Sequence, residues 1–359
     1  MITLLVQTER VLQNARALQK QVGKTPMIPV LEANAYGLGD AAVAQLLANE
    51  GIQTLAVSRL EEAVRIAGAV RGIDILLLTP YAGEEDIRTI LENDLIAAVG
   101  SNDSAVLLSS LSRKLHRRAR IQLCFDFGMG RFGFSPQDAA KAAQTVKHLG
   151  NLELTGVFTI LPAGSAEKSS RREQHVKDFN RVLAAIGREE LTPGFAHMAD
   201  VNQLALCPEM RLSAVRVGPE LFGRGQPLPG ARKERRVPGG RGGLKKVGRA
   251  VSEVCDIKWL TAGSTVGDDG RCKVKRATRV AVVPVGLADG LFSEDSGRRG
   301  LFRRKLTCEI NGRRLPIIGR VGLTALTVDV TDADCAPGDI VSFEVDPVGI
   351  SAFARREYV

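Results

Sequence analysis

The chain has 359 residues, of which 44% are hydrophobic and 25% charged, so it is long enough for two globular domains and too apolar for a disordered polymer. Its net charge of +9 would suit a polyanion, but much of the basic excess sits in a glycine-rich stretch at about residues 226–249. That stretch reads as a solvated loop, and nucleic acid is not an expected partner. In chain order, Val11, Leu12, Ala15 and Leu18 fall at helical spacing, and the apolar run at 27–31 predicts a first strand. Further strands are predicted at 54–57, 73–78, 95–99, 121–125, 152–158, 194–197 and 212–215. Helical patterns at 42–47, 60–66, 85–91, 104–115, 137–148 and 173–186 fall between them. Eight strands alternating with helices or turns, with no G-x-G-x-x-G after the first, predict a (β/α)8 barrel rather than an open sheet.

After Gly223 the pattern changes to short β-type runs at 251–259, 279–283, 306–310, 315–319, 326–330 and 340–343. Turn pairs such as Asn311-Gly312 and Pro337-Gly338 separate them, which predicts an antiparallel β domain. The expected division is therefore a barrel over 1–223 and a β domain over 224–359. Six cysteines show no C-x-x-C pair and no histidine at metal-ligand spacing, so they read as reduced thiols, with no metal site expected. No apolar run reaches the length of a membrane span, and the start at 1–6 is too short for a secretory signal. A cytoplasmic location, away from membranes, is the expectation.

The first strand runs into Leu31-Glu32-Ala33-Asn34-Ala35-Tyr36-Gly37, placing Glu32 at a strand end, where barrels bind ligands. Several stretches then resemble, in order, the motifs of the alanine racemase family, fold type III enzymes that use pyridoxal phosphate (PLP). Ala33-Asn34-Ala35-Tyr36-Gly37 resembles the core of K-A-N-A-Y-G, and Asp126-Phe127-Gly128-Met129-Gly130-Arg131 resembles D-T-G-M-x-R. His197-Met198-Ala199-Asp200 resembles H-x-A-N, and Arg216-Val217-Gly218 with Leu221-Phe222-Gly223 resembles R-x-G-x-x-L-Y-G. In the β region, Gly286-Leu287-Ala288-Asp289-Gly290 resembles G-Y-A-D-G. The resemblance implies a barrel followed by a β domain, and a head-to-tail homodimer in which each site is completed by the partner.

Several positions depart from the family pattern. Glu32 stands where the family's lysine holds PLP as a Schiff base, and a carboxylate cannot form an imine. Asp268 aligns with the opposing tyrosine, Ile160 with a histidine that partners it, and Cys124 with a lysine that many members carbamylate. At the phosphate end, Val201 replaces a serine, and Pro219 replaces a residue whose backbone N–H the family uses. These departures imply a protein without a cofactor, PLP-independent and repurposed for another small-molecule reaction, with Glu32 and Asp268 as acid and base. Tyr36, Arg131, His197, Arg216 and Gly218 would then bind a small anionic metabolite. Two other functions stay open: a pseudoenzyme that binds a metabolite or a partner protein, and an amino-acid racemase with PLP bound unconventionally. The residues keep alternatives as well. Glu32 could be neutralised by Arg216 or Arg131, or ligate a metal; Asp268 could belong to a solvated turn; Tyr36 and His197 could be packing and hydrogen-bonding groups.

Overall fold

The computed structural model describes residues 2–162, 169–224, 244–291 and 306–359; the basic stretch from 226 to 243 lies outside them. Strand β1 (Thr3–Val6) precedes the helix Thr8–Val22. Next come β2 (Met27–Pro29), β3 (Thr54–Val57), β4 (Asp74–Leu77), β5 (Ala97–Val99) and β6 (Ala119–Phe125). The series continues with β7 (Leu152–Thr159), β8 (Phe195–His197) and β9 (Val215–Val217). β2 pairs in parallel with β9, β3 with β4, and β5 through β8 form a continuous parallel run. Single bridges at Val30–Ala56, Leu76–Ile96 and Asp200–Arg216 join the remaining neighbours, so β2 to β9 close into the eight-stranded barrel that the sequence predicts. Its interior is filled by Ile28, Val30, Leu76, Ile96, Cys124 and Phe158, with Phe132 and Ile160 packed against them.

Local chemistry sets the helix starts. Ser101 and Ser104 form a reciprocal cap at the head of Asn102–Lys114: Ser104 N–H donates to Ser101 Oγ at 3.1 Å, and Ser101 N–H donates back to Ser104 Oγ at 3.3 Å. Asp200 and Gln203 make the same exchange at the head of Val201–Leu206, at 2.8 and 3.0 Å, which fixes the chain just after His197. The last barrel strand, β9, starts three residues later than the predicted 212–215. The difference has a physical origin, because the charged Arg216 interrupts the apolar run that would have marked the strand.

The other strands are β10 (Gly248–Glu253), β11 (Asp256–Leu260), β12 (Thr265–Val266), β13 (Cys272–Lys273), β14 (Thr278–Val283) and β15 (Thr307–Ile310). They are followed by β16 (Arg313–Ile318), β17 (Leu326–Asp329), β18 (Ile340–Glu344) and β19 (Arg355–Tyr358). Nine strands form one sheet in the order β11-β14-β17-β16-β15-β18-β10-β1-β19, antiparallel throughout except for the parallel pair β1–β19. The predicted run at 251–259 is two strands. At Val254-Cys255 the chain leaves β18 for β14, with Val254 N–H donating to Asp339 O and Cys255 N–H to Val282 O. Asn311 and Gly312, at φ of 49° and 73°, make the tight hairpin between β15 and β16 that the Asn-Gly pair predicts.

Contacts divide the chain into two compact units. One contains residues up to Glu9, Tyr36–Leu38 and Val247–Val359; the other contains Arg10–Ala35 and Gly39–Lys246. Among the described residues no helix is long and apolar enough to cross a membrane.

Candidate active site

The strand-end segment after β2 has an unusual backbone. Ala33, Asn34, Ala35 and Tyr36 all take left-handed φ values of 54°, 58°, 51° and 54°, and Gly37 follows at 85°. Each non-glycine residue in that region costs about 1–2 kcal/mol, so the turn has to be held from outside. Glu62, on the helix Leu60–Ala69, does this. Only 4% exposed, it accepts the Asn34 N–H on Oε1 at 3.0 Å and the Arg59 N–H on Oε2 at 3.3 Å. Asn34 Oδ1 accepts the Asp40 N–H at 3.0 Å, and the Gly39 N–H donates to Asn34 O at 3.0 Å. Glu32 heads the turn, half-buried, and its Oε2 accepts a hydrogen bond from Ser58 Oγ at 2.8 Å.

On the neighbouring strand β9, opposite Ile28, Arg216 is 7% exposed. Its Nη1 donates to His197 Nδ1 at 2.6 Å, and its Nη2 donates to Thr159 O at 2.8 Å and Met198 O at 3.4 Å. Burial pushes the guanidinium down to about 10, while Asp200 pulls the other way, so it keeps its charge at neutral pH. His197 is fully buried and stacks on Phe158, with ring centroids 5.3 Å apart. Burial first, then the Arg216 charge, holds its imidazole well below the ordinary range. A neutral ring that accepts at Nδ1 carries its proton on Nε2, which faces Gln122 Oε1 at 2.8 Å.

Arg216, His197 and Gln122 are thus a rigid buried chain, and the chain makes stability pH-dependent. The unfolded imidazole takes a proton near pH 6.5, whereas the buried one stays neutral to lower pH. The folded state is therefore at full strength above about pH 6.5 and loses up to about 1.4 kcal/mol per pH unit below it. Urea midpoints between pH 8 and 5 should show this acid-side loss, and His197→Gln should flatten it.

The turn after β6 is organised by Asp126, whose carboxylate accepts the N–H groups of Gly128, Met129 and Gly130 at 2.8 to 2.9 Å. The turn carries Arg131 outward, where its guanidinium lies 5.2 Å from the Phe132 ring centroid. Cys124, Phe132, Arg131 and Ile160 border one small depression there. Burial pushes the Cys124 thiol up to about 12, so it is no thiolate nucleophile. Beyond β9, the Gly218 N–H donates to Glu220 Oε2 at 3.3 Å, and Glu220 is 4% exposed.

The barrel unit thus brings together Glu32, His197, Arg216 and Gly218 on adjoining strand ends, with Arg131 on the turn after β6. Tyr36 and Asp268 belong to the other unit. Asp268 is exposed, and its carboxylate packs so closely on Gly322 that a Cβ there would lie 2.6 Å from one oxygen. Among the described residues no cluster of three or more His, Cys, Asp or Glu could hold a metal ion. Ser58, Glu62, Gln122 and Thr159 are the site residues that the sequence did not single out. For Gln122, polarity in the middle of the apolar run at 121–125 was a visible signal; Ser58 and Glu62 sit among other polar residues and gave none.

Residues 6–226 match the alanine racemase N-terminal domain and residues 247–353 its C-terminal domain. The chain belongs to the alanine racemase family. It is 30% identical to an alanine racemase of Carboxydothermus hydrogenoformans over 93% of this chain and 87% of that protein. It is 29% identical to alanine racemase 1 of Caldanaerobacter subterraneus over 92% and 81%. Among solved structures, an alanine racemase of Clostridium difficile superposes with a TM-score of 0.87 at 22% identity, covering 100% of this chain and 95% of that one. An alanine racemase from Bartonella henselae, described with covalently bound pyridoxal phosphate, gives 0.80 at 23% identity, covering 100% and 99%.

These findings correct the functional expectation. A PLP-independent, repurposed protein without a cofactor, or a non-catalytic pseudoenzyme, is at odds with relatives across nearly the whole chain that are named as alanine racemases. The expectation treated substitutions at the attachment points as loss of the whole chemistry. Arg216 is instead held in place by His197 and the Thr159 carbonyl.

Proposed function

We propose that this chain is an amino-acid racemase of the alanine racemase family in which pyridoxal phosphate sits without a covalent link to position 32. The observation that carries the reading is the buried Arg216 guanidinium, held by neutral His197 and two backbone carbonyls at the position that faces the pyridine ring in the family. The racemase names of the curated relatives, and the cofactor described for the Bartonella enzyme, support the cofactor class.

The residues fit the ring end of that cofactor and do not fit its usual attachment. Glu32 has no amine, Pro219 has no N–H, and the Gly218 N–H already faces Glu220. Retention then depends on non-covalent contacts alone. In this reading Arg131 orients the substrate carboxylate. Glu32 takes or returns a proton on one face, and Asp268, supplied across a head-to-tail cytoplasmic homodimer, does so on the other. The test is incubation of the purified chain with PLP and L-alanine in deuterated water, followed by chiral separation. PLP-dependent deuterium uptake at Cα with formation of the D-enantiomer is expected, lost in Glu32→Gln, from a species with the mass of two chains. A chain that neither exchanges Cα hydrogen nor responds to added PLP would refute the reading.

A further inference from the structure

Gln122 is fully buried on β6, on the same face as Cys124, which helps to fill the apolar interior of the barrel. The neighbouring strand makes space for it. Opposite Gln122 on β7 stands Gly156, where a Cβ would lie 2.6 Å from Gln122 Cδ and 2.7 Å from Nε2, so a larger residue there would displace the amide. Among the described residues Gln122 Nε2 has no hydrogen-bond partner, whereas Oε1 meets His197 Nε2 at 2.8 Å. The oxygen is the end of this side chain that the barrel uses.

A neutral imidazole has one N–H and one lone pair, and a guanidinium can only donate. His197 receives Arg216 Nη1 at Nδ1, 2.6 Å away, only while its own proton is on Nε2, and Gln122 Oε1 is the acceptor that favours a proton there. With the proton on Nδ1, two donors would face each other. Arg216 would keep its bond to Thr159 O and lose the other prong of the fork. Phe158 lies parallel to the imidazole, with an interplanar angle of 3°, so the ring plane is set and the proton position is the variable that remains. We propose that Gln122 is a positioning residue for Arg216: by holding His197 in the Nε2–H tautomer, it fixes the guanidinium that meets the cofactor ring. The proposal rests on the reading above that Arg216 faces that ring, and it adds a residue that acts through two others without touching the ligand.

The first test needs no cofactor. The chain has four histidines, and nitrogen-15 NMR of the full chain labelled at histidine, at pH 7.5, should show His197 as the Nε2–H tautomer, with His197→Gln assigning the signal. Gln122→Met keeps most of the volume and removes the acceptor, so the proton should also populate Nδ1. The same variant should bind pyridoxine 5′-phosphate, which carries the cofactor ring and cannot form imines with surface lysines, about ten- to a hundredfold more weakly by calorimetry. That is the range of one hydrogen bond to a charged group. Gly156→Ala displaces the amide without changing its chemistry, should move both readouts in the same direction, and serves if the methionine variant does not fold. A Gln122 that only packs would change the thermal midpoint and leave the tautomer of the folded chain as it was. A His197 proton on Nδ1 in the unmodified chain, or a tautomer and an affinity that both survive the substitutions, would overturn the positioning role. So would a tautomer that moves without any change in affinity. PLP-dependent racemisation at an undiminished rate in Gln122→Met would overturn the role of Gln122 and leave the racemase standing, whereas an unmodified chain that binds neither compound would sink both.

Discussion

Replacing Arg216 with alanine is expected to lower the stability of the barrel by about 3–5 kcal/mol, the range for removing one member of a buried charged network. The loss has identifiable parts. His197 Nδ1 and the carbonyl of Thr159 each lose a donor within 2.8 Å, and Asp200 loses the charge that offsets it nearby. The acceptors left behind are buried, so water cannot replace the arginine at little cost. Arg216→Lys should fall between the two proteins, since an ammonium lacks the planar fork that reaches an imidazole and a carbonyl together. Urea unfolding at pH 7.5 measures the stability, and PLP titration of the lysine variant, which retains a charge, separates loss of ring binding from loss of fold.

Gly37→Ala should be almost as damaging, at about 2–4 kcal/mol, from an unfavourable φ combined with overpacking. Gly37 has φ of 85°, and a Cβ there would lie 1.9 Å from the carbonyl oxygen of Pro347, well inside contact distance. The backbone would have to move, and the left-handed run that ends at Gly37 would move with it. Gly23→Ala is the matching control. Its φ is also positive, at 69°, but no atom lies within 4 Å of the added carbon, so only the conformational cost of about 1 kcal/mol is expected. A difference between the two thermal midpoints isolates the steric part; equal losses would show that the contact with Pro347 carries no weight.

Much of the barrel was legible because strands buried on both faces read as continuous apolar runs, as at β3 and β5. The exceptions follow the same physics. β9 was displaced in the reading because Arg216 points a charge into the interior, and charge hides a strand from any search for apolar runs. β10 and β11 were fused because the chain changes sheet partners at Val254-Cys255, which are apolar residues with none of the usual turn chemistry. Motif order picked out Glu32, His197, Arg216 and Gly218, which the structure places on adjoining strand ends of the barrel. Glu62 could not be found that way: in sequence it is one of two acids in the first turn of a helix, where acids are commonplace, and its partner Asn34 lies 28 residues earlier. The functional expectation failed for a related reason. Residue identities at 32, 201, 219 and 268 are visible in a sequence, whereas the buried hydrogen-bonded assembly behind Arg216 is not.

The sheet containing β1 sets an order of events during synthesis. Thr3 pairs with Val251 on one side and Arg355 on the other, so a strand that precedes the barrel in the chain waits for partners that follow it. All eight barrel strands emerge from the ribosome before either partner does, and they can close while β1 still trails free. A nascent chain stalled where Val217 has cleared the exit tunnel and Val251 has not should hold a protease-resistant barrel carrying a cleavable β1 arm, and that arm should become resistant only once Arg355–Tyr358 has left the tunnel.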